Sequence, residues 1–190
     1  MKKFLILSCC LLAGWSLCAQ SQGYFNITQL SFLIAEENTS SPIKSNMAPS
    51  VVNINGVYLN EYVSLGIGAG MTAMSYSIFP VFADLRFTFF KGNLSPMLAL
   101  KGGYAFANNK KEIFLNEYYN GEYKNRGGGM FNPEFGFKVG MTDRSAFILT
   151  IGYWYQHVTS EIKEKYGYNL THNRTSDLNR LSFCIGFLFW

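Results

Sequence analysis

The stretch LSFCIGFLFW, Leu181 to Trp190, alternates large apolar residues with small or polar ones as far as its last position. Alternation with a period of two predicts a β-strand that has one apolar face. The apolar face holds Leu181, Phe183, Ile185, Phe187 and Phe189, and the other holds Ser182, Cys184 and Gly186. Such an ending is unusual for a soluble protein but is typical of the closing strand of a transmembrane β-barrel, whose outside must meet lipid.

Residues 1–19 have the layout of a secretory signal peptide. Two lysines form a charged start, Phe4 to Leu12 is apolar, and Ala19 is suited to precede the cleavage site. The apolar run is far shorter than the roughly 20 residues of a membrane-spanning helix. A lipoprotein signal is disfavoured because the residue before Cys18 is large. We therefore expect one mature domain, residues 20–190.

The composition of this mature domain excludes several classes of function. Loss of Lys2 and Lys3 from the 16 basic residues leaves 14 against 12 acidic ones, a balance too even and too scattered for nucleic-acid binding. Three of the four cysteines lie in the signal peptide, so Cys184 alone can form neither an intramolecular disulfide nor a cysteine metal site. The sequence implies no cofactor and no metal.

Period-two alternation recurs along the mature chain and predicts eight strands. The predicted ranges are 23–34, 50–59, 62–74, 79–90, 94–107, 129–141, 146–156 and 178–190. Long connections at 35–49, 108–128 and 157–177 interleave with tight turns, except at 75–78, where a short link stands on the long-loop side. An outer-membrane barrel has this asymmetry, with an even number of strands and with short turns and both termini in the periplasm.

The two faces of these strands distinguish a membrane barrel from a soluble one. One face is apolar almost throughout, as at Leu65, Ile67 and Phe87. In a soluble barrel the other face would meet water, but here it is rich in glycine, as at Gly66 and Gly68. Glycine suits the crowded lumen of a small barrel. We therefore predict an all-β, eight-stranded antiparallel transmembrane up-and-down barrel in a Gram-negative outer membrane.

Two positions disturb this alternation. In the first strand Phe25 and Ile27 share a face with Gln29, whereas Leu30 falls on the opposite face. Pro133 lies inside the sixth predicted strand, where it has no N–H to donate to a neighbour. A β-bulge near Gln29 and another at Pro133 would account for them.

Most of the range from Gly23 to Trp190 resembles the small outer-membrane β-barrel proteins of Bacteroidetes-type bacteria. The matching stretches are GYFNITQLSFLI, VNINGVYLNEYVSLGIGAG, FPVFADLRFTFFKGNLSPMLALKGGYAF, GGGMFNPEFGFKVGMTDRSAFILTIGYWYQ and NRLSFCIGFLFW. The resemblance implies a porin-like, eight-stranded barrel akin to OmpA/OmpX-type proteins, and it carries no catalytic motif. One departure is that Phe189 completes the lipid-facing row, so Trp190 stands one residue beyond the usual terminal aromatic.

Six charged residues are predicted to face the lumen, and Asp84 should lie opposite Lys101 across a hairpin. The set is Asp84, Arg86, Lys101, Glu134, Lys138 and Arg180. Unpaired charges are costly in so narrow a space, so we expect mutual pairing. A salt-bridged plug is favoured over an ion-selecting constriction, because side chains alone can fill an eight-stranded barrel.

A second group of residues lies where the seventh strand leaves the membrane. His157, Thr159, Ser160 and Glu161 resemble the outer-leaflet site of lipid A deacylases, which are also eight-stranded barrels. A regular strand places His157 and Ser160 on opposite faces, whereas Thr159 shares the face of His157. Nucleophilic catalysis needs a hydroxyl within hydrogen-bond reach of the imidazole. An enzyme is therefore the less favoured alternative.

The long connection 108–128 contains three tyrosines that could contact a glycan or a protein partner: Tyr118, Tyr119 and Tyr123. Asn120-Gly121 predicts a type I′ turn and hence a hairpin above the membrane, in which these tyrosines could equally pack across strands. We expect a structural or surface-interaction role through such loops, with a lipid-modifying enzyme or a small channel as alternatives. The expected partners are outer-membrane lipid and lipopolysaccharide, an extracellular ligand, and the barrel-assembly machinery, which would bind the last strand.

Overall fold

The computed structural model describes residues 23–35, 47–74, 77–90, 92–107, 109–116, 119–164 and 171–190. The predicted signal peptide lies outside these residues. No helix in the described ranges is long and apolar enough to cross a membrane.

Nine antiparallel strands are present in the described chain. They are β1 (Tyr24–Ala35), β2 (Met47–Tyr58), β3 (Val63–Ala73), β4 (Ser77–Thr88), β5 (Leu94–Ala107), β6 (Asn109–Asn116), β7 (Tyr119–Thr142), β8 (Ser145–Glu164) and β9 (Thr171–Phe189). Eight of them close into a barrel, since β1 pairs with β9 and β5 pairs with β7. The remaining strand, β6, pairs with the first part of β7. The predicted eight-stranded antiparallel barrel is confirmed.

The strand register sets the tilt of the barrel. Following paired residues once around the barrel from Tyr24 leads back to β1 at Ile34, ten residues further along that strand. The path runs through Val57, Leu65, Leu85, Leu100, Pro133, Tyr153 and Leu181. A shear of this size corresponds to strands inclined by about 35–45° to the barrel axis. We call the rim where β1 begins and β9 ends the terminal rim, and the opposite one the long-loop rim.

The last three strands extend further toward the long-loop rim than the sequence predicted. Strand β7 begins at Tyr119 instead of 129, and β8 continues to Glu164 instead of 156. Asn120 and Gly121 lie within β7, paired with Phe114 and Ile113, so the hairpin forms but its turn is not at these two residues. Apolar alternation marks only the part of a strand that has an apolar exterior, whereas backbone pairing continues beyond it.

The irregularities of the ladder between β7 and β8 lie at glycines and not at the positions that the sequence indicated. The register of β1 is continuous through Gln29, and that of β7 is the same before and after Pro133. Both predicted bulges are therefore wrong. The register shifts instead between Asn125 and Gly127 and between Gly140 and Thr142. At Gly127 the φ angle is +84°, which glycine adopts without strain.

The inside of the barrel holds both apolar and polar side chains. Near the terminal rim it is mixed, since Phe25, Ile27 and Ile54 are completely buried there and Arg86 lines the same cavity as Phe25. Further along lies the buried Gln29. Leu30 and Phe32 point outward and are exposed. The first strand thus needs no bulge, because the lumen itself accepts the apolar side chains of its first half.

Candidate functional site: a polar cluster in the lumen and a histidine–aspartate pair at the rim

Glu134 is the centre of a buried polar cluster in the lumen. Its carboxylate accepts hydrogen bonds from Gln29 Nε2 at 3.0 Å, Thr150 Oγ1 at 2.9 Å and Asn132 Nδ2 at 2.8 Å. It also forms an ion pair with Lys101, whose Nζ donates a second hydrogen bond to Gln29 Oε1 at 2.9 Å. We call Gln29, Lys101, Asn132, Glu134 and Thr150 the central lumen cluster.

The barrel brings this cluster together from four strands that are distant in sequence. Gln29 lies on β1, Lys101 on β5, Glu134 on β7 and Thr150 on β8, each at an inward position. All four are at most 7% exposed. A buried charge pair is tolerated when further hydrogen bonds satisfy its remaining atoms, and this cluster supplies them. The arrangement spans the lumen with paired polar side chains.

A second ion pair lies on β4, the strand that pairs with β5 on the side away from β7. Arg86 Nε donates to Asp84 Oδ2 at 2.5 Å, and both side chains are buried. Asp84 does stand opposite Lys101 in the register, but the two do not pair with each other. Lys101 pairs instead with Glu134 on its other neighbouring strand, β7, and Asp84 pairs with Arg86 on its own strand.

The other two predicted lumen charges lie apart from this cluster. Arg180 is buried and stands beside Trp154 in the register. Lys138 is partly exposed near the terminal rim, where its Nζ lies 5.5 Å from the centre of the Trp190 ring. This cation–π contact gives the overrunning terminal tryptophan a structural role.

Sequence reasoning missed the uncharged members of the lumen. Gln29, Asn132, Thr150 and Gln156 are all buried, and Gln156 accepts a hydrogen bond from Trp154 Nε1 at 3.2 Å. Asn132 precedes Glu134 by two residues and so shares its face, a signal that was present in the sequence. Gln29 had no such signal, because its partners come from β5 and β7.

A small cavity lies in the lumen below the central lumen cluster. It measures about 10 Å³, which is the room of about one water molecule. Phe25, Tyr58 and Met97 are among the residues that line it. Two nitrogens of Arg86 and one oxygen of Asp84 are buried nearby without a hydrogen-bond partner among the described residues.

A different polar group points outward near the long-loop rim. His157 Nδ1 lies 2.7 Å from Asp177 Oδ1, and Tyr155 donates its hydroxyl to the same oxygen at 3.0 Å. His157 and Asp177 are direct neighbours across β8 and β9, and both are well exposed. The hydrogen bond with His157, followed by that from Tyr155, holds the pKa of Asp177 below its ordinary value.

This pair differs from the predicted enzymatic group. The acid beside His157 is Asp177, from the neighbouring strand, and not Glu161. Among the side chains that the structure describes, no serine or threonine hydroxyl is hydrogen-bonded to His157. Thr159 lies on the same outward face, whereas the side chains of Ser160 and Glu161 lie outside the described set. An oriented imidazole is present, but no nucleophile is in contact with it.

The predicted loop tyrosines fall largely outside the described side chains. Tyr118 lies outside the described residues altogether. The backbones of Tyr119 and Tyr123 belong to β7, opposite Asn116 and Lys111 of β6. The predicted site at this hairpin remains a prediction.

The closed eight-stranded antiparallel barrel is the fold of a class of solved structures, the small outer-membrane β-barrels. Solved structures of this class resemble this protein at low sequence identity. OprG from Pseudomonas aeruginosa matches with a TM-score of 0.66 at 12% identity, over 88% of this chain and 95% of OprG. Neisserial surface protein A matches with a TM-score of 0.56 at 11% identity, over 88% of this chain and 97% of that one.

A third similar structure is the N-terminal β-barrel domain of Pseudomonas aeruginosa OprF. Its TM-score is 0.53 at 15% identity, over 90% of this chain and all of that domain. No protein-family model matches the sequence, and no curated protein matches it significantly. The shared feature is therefore the fold.

Proposed function

We propose that the protein is an integral outer-membrane barrel with a plugged lumen, which acts through its external loops as a structural or surface-interaction protein. The observation that carries this proposal is the central lumen cluster, in which Lys101 and Glu134 are at most 2% exposed. A conducting pore of this class needs a continuous water path lined by polar groups. Here the polar groups bind one another instead.

The membrane setting of this proposal follows from the outside of the barrel. Large apolar side chains such as Ile67, Phe131 and Phe183 are exposed there, each by 44% or more. Both termini would lie in the periplasm, and residues 1–19 would serve as the signal peptide. Lipid and lipopolysaccharide would surround the barrel, and the assembly machinery would bind β9. The Bacteroidetes-type, OmpA/OmpX-like resemblance of the sequence supports the same proposal.

Planar-bilayer recording of the purified barrel tests the plug. We expect no stable current from the wild-type protein, or from Asp84→Asn, which leaves the central cluster intact. Lys101→Ala combined with Glu134→Ala removes the plug and should introduce measurable conductance, with Asn179→Ala on the outer surface as the control. A steady wild-type current would contradict the plugged lumen and favour the small channel.

The His157–Asp177 pair supports one second candidate, hydrolysis or transfer of an acyl chain on an outer-leaflet lipid. An acid that orients an imidazole is part of the machinery of acyl transfer, although a nucleophile must also be supplied. His157→Ala should change the lipid A acylation pattern of the host, read by mass spectrometry, if this candidate is right. Asn179→Ala, whose residue lies opposite Tyr155, is the matched control. An unchanged lipid A acylation pattern in both variants would exclude this enzymatic function.

A further inference from the structure

The outward faces of β1 and β2 carry a connected cluster of polar side chains, Tyr24, Asn26, Thr28, Asn53 and Asn55, which we call the asparagine patch. Asn26 Nδ2 donates to Asn55 Oδ1 at 2.7 Å and to Asn53 Oδ1 at 3.1 Å. Asn53 Nδ2 donates to Thr28 Oγ1 at 3.1 Å, and Tyr24 donates its hydroxyl to Asn55 at 2.5 Å. The patch is a network on the outside of the barrel.

Apolar outward residues surround this patch. On the β9 side, Asn26 and Thr28 stand opposite Phe189 and Phe187. On the β3 side, Asn53 and Asn55 stand opposite Ala69 and Ile67. Along the strands, the next outward residues toward the long-loop rim are Leu30 and Val51, and Val57 follows toward the terminal rim. Asn53 therefore lies among apolar outward residues, whereas Tyr24 and Asn26 lie at the terminal rim, where β1 begins and β9 ends.

Strands β2 and β3 lack outward aromatic residues. No outward position of either strand is aromatic, although every residue of both is described. Strands β1, β4, β5, β7, β8 and β9 each place at least two aromatic side chains outward, and on β1 these are Tyr24 and Phe32. Aromatic residues at the ends of strands anchor a barrel wall in the lipid interface. On its β2 side the patch therefore borders a wall without such anchors.

The patch retains hydrogen-bonding capacity after its internal bonds are made. Asn55 Nδ2 donates once within the patch, to Asn53 Oδ1 at 2.8 Å, and an amide nitrogen has two hydrogens. The hydroxyl hydrogen of Thr28 is also not used within the patch, where its oxygen accepts. Polar groups that face hydrocarbon are costly, and in membranes they serve to join protein surfaces.

We propose that the asparagine patch is the interface through which two copies of this protein associate within the membrane. A second copy is the favoured occupant because an amide is both donor and acceptor, so the patch is complementary to itself under two-fold rotation. Ala69, directly opposite Asn53, has a small outward side chain, which allows close approach of two barrel walls at that point. This inference rests on the proposed membrane location.

Cysteine cross-linking in outer-membrane vesicles tests the interface on the full-length protein. In a Cys184→Ser background, Ala69→Cys places a thiol beside the patch while it leaves every asparagine in place. Phe135→Cys is the control, since β7 lies across the barrel from β2 and Phe135 is equally outward. We expect oxidation to give at least tenfold more disulfide-linked homodimer from Ala69→Cys than from Phe135→Cys.

Two further measurements make the outcome decisive. Asn53→Leu combined with Asn55→Leu should reduce the Ala69→Cys cross-link at least fivefold, while heat-modifiable migration shows that the barrel still forms. Single-molecule subunit counting of the wild-type protein in dilute vesicles should find pairs. Equal cross-linking at both positions, single copies in the counting, or a cross-link to a different protein would each overturn the proposal. Failure of the barrel to insert into vesicles would overturn the membrane location instead.

Discussion

At the scale of single residues, the Lys101–Glu134 pair shows how a small barrel can hold a charge in its interior. Glu134 accepts hydrogen bonds from four uncharged side chains, those of Gln29, Asn132, Thr150 and Cys184, besides its ion pair with Lys101. Each neighbour compensates part of the hydration that the carboxylate loses on burial. Removing one charge leaves the other unpaired in the lumen, which is far more costly than removing both.

Glu134→Gln should therefore lower the free energy of unfolding by about 3–5 kcal/mol. Adding Lys101→Met should recover part of that loss, because it removes the unpaired ammonium group. Urea unfolding in lipid vesicles, followed by tryptophan fluorescence, measures both values. The exposed Asn179→Ala should stay within about 0.5 kcal/mol of wild type. Equal stability of Glu134→Gln and this control would show that the pair is not essential for stability.

At the scale of the strand, β7 is divided by the irregularity at Gly127. On one side of it β7 pairs with β5 inside the barrel wall, and on the other it pairs with β6 in the projecting hairpin. Gly127 has a positive φ, and a Cβ there would collide with the carbonyl oxygen of Ala105. The glycine thus permits the change of partner.

Gly127→Ala should destabilise the protein by at least about 1–2 kcal/mol, the cost of a left-handed conformation for an L-residue, with the collision in addition. Gly129→Ala is a matched control two residues away, because a Cβ there meets no atom within 4 Å. Its effect should be within about 0.5 kcal/mol of wild type. Comparable losses in the two variants, measured by the same urea titration, would exclude a conformational role for Gly127.

At the scale of the whole molecule, the barrel is completed by the seam between β1 and β9. Phe189 stands opposite Asn26 on one side and Ser145 on the other, and its ring lies 4.4 Å from that of Phe187. Trp190 lies beyond the strand, bonded through its N–H to the carbonyl of Arg144 at 3.1 Å. The seam therefore depends on Phe189 more than on the final residue.

Phe189→Ala should reduce the fraction of folded, heat-modifiable barrel in membranes by more than Trp190→Ala does. The first change removes a ring from the closing strand, whereas the second removes a contact with Lys138 at the rim. Gel migration with and without heating, on matched membrane fractions, gives both fractions. A larger loss for Trp190→Ala would assign the decisive terminal aromatic to the last position.

Much of the fold was predictable, because an apolar outside and a narrow lumen inside impose a pattern on every strand. The predicted strand 94–107 coincides with β5, and the glycine-lined face of β3 does turn inward. The candidate sites were less predictable. Alternation correctly placed Lys101 and Asp84 on the lumen-facing side of their strands, but it does not indicate which residue each of them pairs with. Asp177 likewise lies twenty residues after His157, and only the pairing of β8 with β9 joins them.

The sequence by itself determined that this chain forms an antiparallel barrel with an apolar outside, since alternation is a local property with a period of two residues. The tertiary structure decided which charges and amides meet in the lumen and that the asparagines of β1 and β2 form one patch. These depend on register and shear, which arise from backbone pairing around the whole barrel and leave no mark in any single strand.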